Sequence, residues 1–124
     1  MPLFSRCSKK QLAALAAEAD ELTLPEGKTL SRQGQQGREF VVIVDGSAEV
    51  TKNGRRINRL GPGDFLGEIA LISGAPRTAT VTTTSETRLL VLTDRGFRRV
   101  TREIPSLQTT LLQAVSERLQ SDAL

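Results

Sequence analysis

The 124-residue chain has no histidine, no tryptophan, no tyrosine and a single cysteine, Cys7. Each absence removes a class of function. Without histidine the usual general base and the commonest metal ligand are missing, and a Ser-His-Asp hydrolase is impossible. One cysteine builds neither a thiolate metal site nor a disulfide framework. With only four Phe among the aromatics, little is available to stack on nucleic-acid bases. No apolar run approaches the length of a membrane span, no secretory signal peptide is evident, and no Asn begins an N-x-S/T triplet. The expectation is a cytoplasmic protein with no membrane span, no metal and no catalytic residues.

What is present is charge of both signs, a net of +3, and 38% hydrophobic residues. That suffices for one domain, expected over 1–124, with an ordinary core. The basic side chains gather in two places: Lys52, Arg55, Arg56 and Arg59 flank an Asn53-Gly54 turn, and Arg95, Arg98, Arg99 and Arg102 lie further on. Neither cluster is interleaved with aromatics, and no helix-turn-helix follows the last helical stretch. Both read as solvated faces, and direct nucleic-acid binding is not expected.

Ser8-Lys9-Lys10-Gln11 is a capping-box signature, and Leu12, Leu15, Ala16, Ala19 and Leu22 follow the helical period behind it. An amphipathic N-terminal helix is expected, broken by Pro25-Glu26-Gly27. Short β-type segments follow near 28–32, 39–44, 48–52, 55–60, 78–83 and 88–92. Asp45-Gly46, Asn53-Gly54 and Gly61-Pro62-Gly63-Asp64 supply turns between them. Many short strands with frequent turns predict a small β-sandwich or rolled barrel rather than a parallel sheet. After Leu92 the pattern is helical again. Leu107, Leu111, Leu112, Val115 and Leu119 form an apolar stripe on a closing helix, suited to packing on the barrel, on a partner's helix or over a ligand.

Between Phe65 and Val81 the residue types point to anion capture. Gly67 lets the backbone turn tightly and lets a ligand approach the amides that follow. Glu68 can accept hydrogen bonds from hydroxyls. Ile69, Ala70, Leu71 and Ile72 suffice for about one helical turn, whose first N–H groups face outward at the positive end of the dipole. Ser73, Gly74, Ala75 and Pro76 end that turn and lead to Arg77, whose guanidinium can grip a phosphate with two parallel bonds. Structural readings stand beside these. Glu68 can simply cap the turn or pair with Arg77, Phe65 and Leu71 suit the core, and the Thr78 hydroxyl can serve the strand. The glycines at 61, 63 and 67 do not make a dinucleotide fingerprint, because Leu66 stands where its third glycine belongs. Glu68 also lacks the second carboxylate of a glycosidase pair.

The stretch resembles the phosphate-binding cassette of the cyclic nucleotide-binding domain family, whose pattern is F-x-G-E-(L/I)-A-L, a short linker, then P-R-(A/S/T)-A-T-V. Phe65, Gly67, Glu68, Ile69, Ala70, Leu71, Pro76, Arg77, Thr78, Ala79, Thr80 and Val81 match it. Upstream, Gly34, Gly37, Phe40 and Gly46 fit the family's segment joining the early strands, with Arg38 in place of the usual acid and Val41 in place of the usual aromatic. Downstream, Ile104 to Leu107 resembles the start of the family's last helix.

The resemblance implies a mainly β protein, a β-roll (a double-stranded β-helix or jelly-roll-like barrel) with an N-terminal helix, a short phosphate-cassette helix and C-terminal helices. It implies a regulatory sensor whose ligand-binding residues are Gly67, Glu68, Ile69, Ala70, Arg77, Thr78 and Ala79. Arg77 would neutralise the cyclic phosphate, the amides of Ala70 and Thr78 would donate to its oxygens, and Glu68 with the Gly67 backbone would take the ribose 2′-hydroxyl. The expected ligand is cAMP; Thr78 also permits cGMP. No cofactor is implied. Leu111, Leu112, Val115 and Arg118 are the candidates for covering the base. Capture would reposition the closing helix about a hinge near 97–105, signalling to an effector in trans or to a second copy in a homodimer. Two alternatives stay open: an interaction module of the same fold that works without ligand, and a sensor of another small anion.

Overall fold

The computed structural model describes residues 7–37, 39–67, 77 and 79–121, with side chains as far as residue 113. Helix α1 spans Lys9–Glu18. Ser8 closes its N-terminus by the predicted capping box: the Ser8 hydroxyl accepts from the Gln11 N–H at 3.1 Å, and Gln11 Oε1 accepts from the Ser8 N–H at 2.9 Å. Among the described residues eight strands follow: β1 (Asp20–Leu24), β2 (Thr29–Ser31), β3 (Glu39–Asp45), β4 (Ala48–Lys52), β5 (Arg55–Leu60), β6 (Phe65–Leu66), β7 (Thr80–Thr83) and β8 (Thr87–Thr93). Helices α2 (Asp94–Glu103) and α3 (Pro105–Ser121) follow the strands.

The strands form two antiparallel four-stranded sheets, ordered β1-β8-β3-β6 and β2-β7-β4-β5. Period-2 alternation sorts their side chains into two cores. Val41 and Ile43 of β3, Leu66 of β6 and Leu89 of β8 face the second sheet and pack there with Ala48, Val50, Leu60 and Val81. The alternate residues Phe40, Val42, Phe65 and Leu92 face the helices and pack with Leu15, Phe97, Val100, Leu107 and Leu111. Covered on both faces, β3 therefore reads as an almost unbroken apolar run, EFVVIVD. Phe40 centres the helical core, its ring 5.8 Å from Phe65 and 5.0 Å from Phe97 in tilted contacts. Val41, which departs from the family's usual aromatic, is buried in the inter-sheet core; Arg38 lies outside the described residues.

Three sequence expectations change. The N-terminal helix stops at Glu18, and Leu22 belongs to β1, which pairs with β8 from Asp20↔Val91 to Leu24↔Thr87. Partner hydrogen bonds along the whole segment outweigh a helical period that Leu22 matched by spacing alone. Phe65–Leu66 forms a short strand against β3. The expected hinge over 97–105 is mostly helix, with Phe97 and Val100 buried; the break narrows to Ile104, the C-cap of α2, immediately before Pro105. The expected cassette helix falls on residues outside the description.

α3 is fastened to α1 at its start. Gln11, buried, donates from Nε2 to the Ser106 hydroxyl at 3.0 Å while still serving the capping box. Leu107 and Leu111 are buried beside Leu15 and Phe97, whereas Leu112 is 47% exposed. Gln11→Ala should cost about 1–2 kcal/mol of stability, measured by denaturant unfolding, because it removes a cap bond and the bond from the buried Gln11 side chain to Ser106 at the start of α3.

Candidate functional site

Arg77 is placed by its main chain before its side chain acts. The loop leaving β2 turns at Gln35, whose N–H reaches the Arg32 carbonyl at 3.1 Å. It then pairs with Arg77 as a two-bond rung: Gly34 N–H donates to the Arg77 carbonyl and Arg77 N–H to the Gln35 carbonyl, each at 2.9 Å. Ser31 Oγ donates to the Ala79 carbonyl at 3.3 Å, and Gln33 N–H to Thr80 Oγ1 at 2.9 Å, extending the attachment along the chain. The backbone at Arg77 is thus fixed to a second segment on both sides.

The guanidinium is seated between glycines. Arg77 Nη2 donates to the Glu39 carbonyl at 2.9 Å. A Cβ on Gly37 would fall within the guanidinium itself. A Cβ on Gly67 would meet the Glu39 carbonyl oxygen and lie 2.6 Å from Arg77 Nη1. Gly67 also has φ +98°, a conformation that side-chain-bearing residues avoid. The missing side chains at 37 and 67 are what admit the planar cation. One Nη2 donor is committed to the Glu39 carbonyl and Nη1 is buried, so the guanidinium is held in one orientation; its planar, permanently charged fork is of the kind that matches a phosphate or carboxylate.

Of the expected ligand residues, the structure brings Gly67 and Arg77 together. Ala79 is buried, with its methyl in the inter-sheet core, so any ligand contact it makes would come from its main chain. Glu68, Ile69, Ala70 and Thr78 lie outside the described residues. The sequence reading missed two members of the seat. Gly37 was placed only as a joining glycine, although its position in the upstream glycine-rich segment was available as a signal. The Glu39 carbonyl carried no signal, since any residue supplies that acceptor.

The remaining chemistry is sparse. Burial pushes the Cys7 thiol pKa up, so it is a poor thiolate nucleophile. Among the described residues no three His, Cys, Asp or Glu side chains form a metal-binding group, and no helix is long and apolar enough to cross a membrane. A cavity of about 370 Å³ lies between α1 and the outer face of the first sheet, lined by Leu12, Leu15, Val42, Val44, Leu90 and Leu92. None of the Arg77 seat lines it. Its walls are mainly apolar, and the Arg88 side chain that also lines it is paired with Glu21 at 3.4 Å.

The sequence profile of the cyclic nucleotide-binding domain family matches residues 21–103, more than half of the chain. The chain belongs to the cyclic nucleotide-binding domain family. Relatives include a cAMP-dependent protein kinase regulatory subunit from Mycosarcoma maydis, 36% identical over 109 residues that cover 81% of this chain and 21% of the relative. The N-terminal domain of a transcriptional regulator from Streptomyces coelicolor A3(2) is 34% identical, with a TM-score of 0.74 over 100% of this chain and 91% of that one. The regulatory domain of Toxoplasma gondii PKA, co-crystallised with cAMP, is 31% identical with a TM-score of 0.69, covering 79% of this chain and 39% of that one. The curated relatives are longer: the chain spans about a fifth to a little over half of their length. The antiparallel sheets with flanking helices are the family's β-roll, and the relatives include a kinase regulatory subunit, a transcriptional regulator and cyclic nucleotide-gated potassium channels.

Proposed function

We propose that residues 1–124 act as one cytoplasmic cyclic nucleotide sensor domain whose ligand is cAMP. The observation that carries this is the Arg77 guanidinium, held by the Glu39 carbonyl between Gly37 and Gly67; the resemblance of the 65–81 stretch to the family's cassette supports reading that arginine as the phosphate-binding one. Arg77 neutralises the cyclic phosphate and the amides of Ala70 and Thr78 donate to its oxygens. Glu68 and the Gly67 main chain take the ribose 2′-hydroxyl, while Ile69 and Ala79 contribute through their main chains. The choice of cAMP is supported by the kinase regulatory relatives; Thr78 admits cGMP as a weaker ligand. No catalytic step belongs to this chain.

Capture is read out through α3. Because Leu107 and Leu111 are buried while Leu112 is exposed, movement about Ile104 and Pro105 would change how much of the apolar stripe faces solvent. That surface would serve an effector in trans or a second copy of the chain. A ligand shifts such an equilibrium only by its differential affinity for the two arrangements. Solution mass and α3 amide exchange, measured with and without cAMP, test the coupling. A ligand-dependent change in either supports it; identity in both contradicts it.

Thermal unfolding tests the binding claim. At cAMP about 100-fold above its dissociation constant, stability should rise by roughly 2.7 kcal/mol, and the midpoint by several degrees. 5′-AMP at the same concentration should leave it unchanged. A sensor of some other small anion would instead keep its dependence on Arg77 and be indifferent to Glu68→Ala.

A further inference from the structure

The Asn53-Gly54 turn joins β4 to β5, and its tip is bonded to the loop that seats Arg77. Asn53 and Gly54 both have positive φ, +54° and +79°, as a tight two-residue hairpin of this type requires. The Asn53 side chain is not needed for that turn; glycine adopts the same conformation. It is instead occupied with Gln33. Gln33 Nε2 donates to Asn53 Oδ1 at 2.9 Å, and the Asn53 N–H donates to Gln33 Oε1, also at 2.9 Å. Both hydrogen-bonding groups of the Gln33 side-chain amide are therefore committed to a single residue of the β4–β5 hairpin.

Gln33 stands immediately before the residues that hold Arg77. Its own N–H is bonded to Thr80 Oγ1, Gly34 and Gln35 form the main-chain rung with Arg77, and Gly37 makes room for the guanidinium. We infer that the Gln33–Asn53 amide pair is a positioning device for Arg77, making phosphate affinity depend on the tip of the β4–β5 hairpin. The inference rests on the proposed role of Arg77 in cyclic nucleotide binding. The bonds of Gln33 and Asn53 run to each other and to Thr80. They act by limiting the loop to the conformation in which Gly34, Gln35 and Gly37 meet Arg77. The hairpin whose basic residues had no assigned role thereby gains one through its turn.

Asn53→Gly keeps the turn and its N–H but removes one of the two bonds; Gln33→Ala removes both. Two readouts separate positioning from general stability. In the ligand-free protein, amide hydrogen exchange at Gly34 and Arg77 should quicken in both variants, while Val50 and Val81 in the barrel stay as in the wild type. In calorimetry, cAMP affinity should fall about threefold to tenfold, as expected for one or two hydrogen bonds, with no further loss when the substitutions are combined. In an Arg77→Lys background, whose ammonium lacks the planar fork, Asn53→Gly should change affinity less than it does with arginine present. Wild-type exchange and affinity in both single variants would overturn the inference, as would quickened exchange spread equally over Val50 and Val81. If the wild type binds no cyclic nucleotide, the proposed function fails, and exchange at Gly34 and Arg77 still decides whether the pair fixes the loop.

Discussion

Arg77→Ala should weaken cAMP binding by roughly 30-fold to several thousand-fold, the consequence of losing about 2–5 kcal/mol when a charge-assisted partner is removed. Two features place the effect at the upper end of ordinary arginine substitutions. The guanidinium is already oriented by the Glu39 carbonyl and the flanking glycines, so binding a phosphate demands little ordering of the side chain. The proposed site also pairs an anionic ligand with the Glu68 carboxylate, and Arg77 offsets that repulsion. Arg77→Lys retains the charge but not the fork, and should fall between wild type and alanine. Titration calorimetry measures all three, and thermal unfolding of the apo proteins checks that the barrel survives. The main-chain rung with Gly34 and Gln35 is independent of the side chain, so the fold should be largely retained.

Gly67→Ala should damage binding and stability together. At φ +98° an added Cβ costs about 1–3 kcal/mol in backbone strain alone. The same atom would overlap the Glu39 carbonyl and crowd Arg77 Nη1, so the guanidinium loses its seat even if the strand tolerates the strain. An affinity loss of at least about tenfold is expected, corresponding to more than about 1.4 kcal/mol. Gly27→Ala is the matched control. Gly27 has φ +87°, with open space where its Cβ would go, so its substitution should incur strain without loss of affinity. Equal affinity loss in the two variants would mean that Gly67 matters only for stability.

The legible parts of this molecule were those governed by local chemistry. The Ser8 to Gln11 cap and the Asn53-Gly54 hairpin depend on residues adjacent in sequence, and both occur as expected; the last helix, expected to open over Ile104 to Leu107 from the family resemblance, begins at Pro105 with Ile104 capping α2. Leu22 misled because the boundary between α1 and β1 is set by β8, far along the chain, and acidic Asp20 and Glu21 give no strand signal of their own. At the site, Gly67 and Arg77 were readable through a run of matching residue types. Their meeting with Gly37 was not, since it depends on how the loop after β2 folds back on Arg77. The Gln33–Asn53 pair illustrates the same limit: each residue is ordinary in its own turn, and only their cross-hairpin register gives them a shared role.

The central claim is that Arg77 and its glycine seat bind the phosphate of a cyclic nucleotide. Isothermal titration of the wild-type protein with cAMP, beside cGMP and 5′-AMP, tests it most directly and needs no aromatic reporter in a chain without Trp or Tyr. The account predicts saturable binding of cAMP, weaker binding of cGMP and none of 5′-AMP. No heat and no thermal stabilisation with either cyclic nucleotide up to millimolar concentration would contradict it, and would favour a β-roll that works through a protein partner without ligand.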